Sequence, residues 1–99
     1  MITFVRRVRM LNGSFVEAME LLRERVDYIE SAHGIKVELH SRFGGPVGEV
    51  LMVSRHDDAT NLELFRKKIS ADVASSKLLK KLAAVTLPGE TFDEIWMSV

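Results

Sequence analysis

Residues 35–55 narrow the fold more than any other stretch, because they hold two extended runs around a glycine-proline turn. In the first run Ile35, Val37 and Leu39 alternate with Lys36, Glu38 and His40. A period of two packs one face and leaves the other polar. The second run contains Val50, Leu51, Met52 and Val53 without interruption, which suits a central strand covered on both faces. Gly44-Gly45-Pro46 between them reads as a hairpin turn, since no helix opens directly after it to bind phosphate.

The flanks follow from the same reasoning. Residues 2–10 form a strand with Ile2, Phe4, Val8 and Met10 on one face, interrupted by Arg6, and Thr3, Val5, Arg7 and Arg9 on the other. Asn12-Gly13 ends it, and Ser14 with Glu17 has the capping-box spacing. Phe15, Met19, Leu22, Val26 and Ile29 then make one helical stripe, while Glu20, Arg23, Glu24 and Asp27 fall largely outside it. Gly34 supplies a left-handed stop. Past the hairpin, Asp57-Asp58 caps a second helix with the apolar face Leu62, Phe65, Ile69 and Val73, leaving Arg66-Lys67-Lys68 solvated. Ser75-Ser76 interrupts that pattern and caps a short third helix to about Ala84, with Leu78, Leu79 and Leu82 inward and Lys77, Lys80 and Lys81 outward. Leu87-Pro88-Gly89 is a turn, and residues 91–97 are a closing strand with Phe92 and Trp96 on one side and Ile95 and Met97 on the other.

The order strand, helix, strand, strand, helix with its extension, strand predicts an α+β, ferredoxin-like βαββαβ domain over residues 1–99. It is a four-stranded antiparallel sheet with its helices on one face and the first and third strands at the centre. The other face is then bare, and an apolar patch of several hundred Å² in water is unusual. Two chains stacking their open faces would bury it, so a homodimer, a dimeric α/β barrel, is expected.

Val5-Arg6-Arg7-Val8, Asn12-Gly13, an amphipathic helix, Gly34-Ile35-Lys36-Val37, residues 45–50 (Gly-Pro-Val-Gly-Glu-Val) and a helix after Asp57-Asp58 together resemble the NIPSNAP family over nearly the whole chain. That family belongs to the dimeric α/β-barrel superfamily, so the resemblance implies the same fold and dimer. The chain departs from the family pattern at Val8, Ser54 and His56, where aromatics are usual, and at Gly48, where asparagine is.

Candidate chemistry is sparse. His40 lies on the polar face beside Glu38 and Arg42. It reads as a proton-exchanging group in an enclosed space, the weak catalytic candidate, or as a strand-edge histidine, which the sequence favours. Arg7, Arg9 and Arg42, with His40 and Trp96, are the candidate ligand-binding set if they line an inter-sheet space, where guanidinium groups clamp a carboxylate or enolate. The competing reading pairs the arginines with Glu38, Glu49 or Glu94 across strands or across the dimer. Trp96 and Phe92 are dimer anchors in the first instance. His33 suits a helix C-terminus. His56 with Asp57 and Asp58 suggests a metal only superficially, because neighbours on a strand point apart and helix capping explains the aspartates.

Neither a cofactor nor a metal is expected from these spacings. Equal numbers of basic and acidic residues, 14 each, give no general attraction to nucleic acid or anionic lipid. No apolar run approaches the ~18 residues of a membrane span. The arginines near the start follow its apolar residues, unlike a signal peptide, and a cytoplasmic setting is expected. The resemblance implies two functions: a NIPSNAP-like dimer binding a small, partly apolar acid between the sheets or serving as an interaction module, and an enzyme on the same barrel similar to the superfamily's cofactor-independent monooxygenases or small isomerases. RNA binding on the shared topology is disfavoured, since the central strands offer Val5, Arg7, Leu51 and Val53 where base-stacking aromatics would be needed.

Overall fold

The computed structural model describes residues 1–42, 44–45 and 47–99; Phe43 and Pro46 of the expected hairpin turn lie outside the described residues. The elements are β1 (Ile2–Arg9), α1 (Phe15–His33), β2 (Val37–Ser41), β3 (Glu49–His56), α2 (Ala59–Ala71), α3 (Val73–Ala83) and β4 (Phe92–Met97). The strands form one antiparallel sheet in the order β2-β3-β1-β4, the ferredoxin-like arrangement. β1 and β3 are central, as the apolar run in β3 requires.

Register fixes which side chains meet the helices. Ile2 faces His56, Phe4 faces Ser54, Arg6 faces Met52 and Val8 faces Val50 across the central pair. β4 adds Ile95 beside Phe4 and Asp93 beside Arg6, and β2 adds Val37 beside Ser54 and Leu39 beside Met52. This layer packs on the helices through a core of Val8, Met10, Ala18, Leu22, Val50, Met52, Leu82 and Val85. Beside it the Met10 amide donates to the Gly48 carbonyl at 2.8 Å. Gly48 has φ +83, and a Cβ there would stand 3.0 Å from the Met10 carbonyl oxygen, so the position excludes an unstrained side chain.

Helix ends follow the sequence in part. Gly34 stops α1 at φ 72, its amide donating to the Glu30 carbonyl. The capping box does not form: Ser14 sits at φ −109, ψ 9, outside the extended region that aims a cap side chain at the first turn, and its side chain makes no cap hydrogen bond. Of the two aspartates before α2, it is Asp58 that caps, accepting from the Asn61 amide at 2.8 Å. The break after α2 falls at Asp72, not at Ser75-Ser76. Val73 therefore opens α3 on the surface, and Ser75 lies buried inside that helix.

Asp72 joins three helices. Its carboxylate caps α3 through the Ser75 amide (3.1 Å) and accepts from the Tyr28 hydroxyl (3.0 and 2.8 Å). His33 Nε2, at the end of α1, lies 2.7 Å from it. The Ser75 amide first, then Tyr28 and His33, hold its pKa at about 2 against an ordinary 3.8. A depressed carboxylate stabilises the fold fully above its unfolded value and loses that contribution as pH falls toward the folded one. Asp72→Asn is therefore expected to lower Tm at neutral pH by about 5 °C. It should also flatten the acid limb of stability between pH 3.8 and about 2. Thermal denaturation of both proteins across that range checks it, and unchanged acid limbs would refute the role given to Asp72.

Candidate functional site

Concave regions lie on both sides of the sheet. On the face without helices, a groove of about 220 Å³ is lined by Val5, Arg7, His40, Ser41, Arg42, Glu49, Leu51 and Glu94. It gathers Arg7, His40 and Arg42 of the expected ligand-binding set. Arg9 and Trp96 are not among its lining residues. Arg9 Nε donates to the Val47 carbonyl at 3.3 Å, while Trp96, 61% exposed on β4, donates its indole N–H to Glu94.

Each groove arginine already has an acid. Arg7 pairs with Glu94, Arg42 with Glu49 at 2.6 Å, and nearby Arg55 with Glu38 at 2.8 Å. His40 is exposed, 3.6 Å from Glu38. Glu38, Glu49 and Glu94 are the acids that the competing reading offered to the arginines, and Arg7 and Arg42 meet two of them while Arg9 does not. An incoming anion would have to displace a carboxylate from each guanidinium.

The second region is a cavity of about 280 Å³ between the sheet and all three helices. Phe4, Met52 and Ser54 line it from the sheet, Val26 and Ile29 from α1, Phe65 and Ile69 from α2, and Ser75, Ser76 and Leu79 from α3. Three arginines also line it: Arg6 from β1, Arg25 from α1 and the exposed Arg66 from α2, whose guanidinium carbon lies 5.6 Å from the centre of the Phe4 ring. Arg6 is neutralised by a two-pronged bond to Asp93 at 2.8 and 3.0 Å, which raises the guanidinium's pKa and lowers the carboxylate's. Arg25 is different. It is only 7% exposed, has no carboxylate partner among the described residues, and its Nε lacks any hydrogen-bond partner there. Burial, with repulsion from Arg6, draws its pKa down from the usual guanidinium value, yet a guanidinium stays protonated at neutral pH. The buried Ser75 hydroxyl is likewise unpartnered. Uncompensated buried donors are rare in native proteins and need a cause.

Arg25 escaped the sequence reading although its position was informative. It stands three residues after Leu22 and four before Ile29, inside the apolar stripe of α1. A charge at a core position of a helix is the signal that would have found it. His56, at the end of β3, is also buried: Nε2 lies 2.9 Å from Ser54 Oγ, the ring sits 5.0 Å from Phe65, and desolvation lowers its pKa. Among the described residues there is no group of three or more His, Cys, Asp or Glu placed to hold a metal, and no helix long and apolar enough to cross a membrane.

No protein-family model and no curated protein sequence matches the chain. Solved structures match it closely in shape. A NIPSNAP domain protein from Burkholderia xenovorans superposes with TM-score 0.86 at 13% identity, covering 100% of this chain and 95% of that one. A NIPSNAP family protein from Agrobacterium tumefaciens gives 0.82 at 17% identity, with 99% and 92% covered. A cofactor-independent oxygenase from Streptomyces nogalater gives 0.72 at 13% identity, with 98% and 91% covered. The fold is the one these proteins share, and the NIPSNAP resemblance of the sequence motifs reappears at that level.

Replacing a buried, unpaired cation with an apolar side chain of similar length removes a desolvation penalty. Arg25→Met is therefore expected to raise unfolding stability by about 1–4 kcal/mol in urea denaturation. A loss of stability would mean that Arg25 is held by partners and serves the fold.

Proposed function

We propose that the chain is a NIPSNAP-like protein that works as a homodimer and binds a small, partly apolar acid in the cavity between its helices and its sheet. One observation carries the reading: a buried guanidinium without a counter-charge lines an apolar cavity. A carboxylate there satisfies Arg25 in a low-dielectric setting, where a charge-assisted bond is strong. The apolar body of the ligand lies against Phe4, Ile29, Met52 and Phe65. The groove on the open face is the weaker site, because its arginines are already paired.

The dimer rests on that open face. Phe92 and Trp96 are 50% and 61% exposed there, flanking Val5 and Leu51 at the sheet centre. Stacking two such faces buries the aromatics as anchors. Turnover is the second reading, favoured by the fold shared with a cofactor-independent oxygenase. In that case Arg25 would stabilise an enolate. The cavity lining, however, is apolar, serine and arginine, which supplies donors and no general base, so binding is preferred.

Phenylbutanoate is expected to raise the melting temperature in a dose-dependent way and phenylbutanamide is not, with Arg25→Met abolishing the shift. Equal shifts from acid and amide would refute an anion site. Light scattering should give a mass twice that of the chain, and Trp96→Glu should halve it. A wild-type mass that stays that of one chain at every concentration would remove the dimer.

A further inference from the structure

A second cavity of about 180 Å³ adjoins the first on the side of the sheet nearer β1's end and the close of α3. Val8, Met10, Leu22, Leu82, Ala83 and Thr86 are among its lining residues. Four residues line both cavities: Arg6, Arg25, Met52 and Leu79. The two spaces thus meet where the arginines stand. Arg6 is committed to Asp93, so the uncompensated charge at the junction is that of Arg25.

Resting on the reading that Arg25 holds the acid, we infer that the ligand is forked. Its oxyanion sits in the middle of the molecule against Arg25, and an apolar arm enters each cavity. An acid with its carboxylate at one end fills one cavity and leaves the other. Each cavity alone falls below the roughly 300–1,000 Å³ usual for ligand sites, whereas the two joined come within that range. The arms differ in length, since the space bounded by α2 is the larger. The Ser75 hydroxyl lines only that larger space and stands ready to meet the ligand on that side of Arg25.

Two isomeric acids separate this inference from the reading beneath it. Dibutylacetate carries its carboxylate between two four-carbon arms, and decanoate carries the same atoms in a straight chain. By titration calorimetry, dibutylacetate is expected to bind at least about tenfold more tightly, because each arm buries its methylenes. Ser76→Leu, which narrows the larger cavity, and Ala83→Leu, which narrows the smaller, should each weaken dibutylacetate by about fivefold or more. Decanoate should lose affinity to one of the two variants only. Decanoate binding as tightly as its isomer, or dibutylacetate indifferent to Ala83→Leu, would overturn the forked ligand while leaving the Arg25 site standing if Arg25→Met still weakens the acid. Binding of both acids unaffected by Arg25→Met would overturn the site itself.

Discussion

The pairing of β1 with β3 decides what each side of the molecule can do. Side chains alternate along a strand, so a slip of one residue would exchange the two faces of the sheet. With Phe4 opposite Ser54 and Val8 opposite Val50, the cavity floor is made of Phe4, Arg6, Met52 and Ser54. Val5, Arg7, Leu51 and Val53 are sent to the other side by the same register. Gly48 holds this pairing in place at its far end, where a side chain would press on the Met10 backbone.

The arginines show how differently one residue type behaves on the two sides. Arg7, Arg42 and Arg55 sit near water, each with its acid, and pairs of that kind contribute little to stability. Arg25 is enclosed, and among the described residues no carboxylate balances it. Such an enclosure costs stability, because a core of this kind is served better by an apolar side chain.

Much of this was legible in local pattern. The strand alternation, the α1 stripe, the stop at Gly34 and the acids that meet Arg7 and Arg42 all follow from spacing and parity. Interactions between distant segments were not legible. The Ile69-to-Val73 spacing continues a helical face through Asp72, and only Tyr28 and His33, about forty residues away, show why the helix breaks there. The Ser14-Glu17 pattern is a correct motif on a backbone that does not aim it. Arg25 was passed over because its residue type suggests solvent while its position in the stripe says the opposite.

Among the described residues β4 has a neighbouring strand on one side only, and Ile95 and Met97 stand 55% and 73% exposed on its helix-side face. Its outer rim therefore offers free amides and carbonyls next to apolar side chains, a template on which further strands can add without limit. Asp93 and Glu94, adjacent and pointing to opposite faces, sit in the middle of that rim, but each is spent on the neighbouring strand, Asp93 on Arg6 and Glu94 on Arg7, so the edge carries paired rather than free charge.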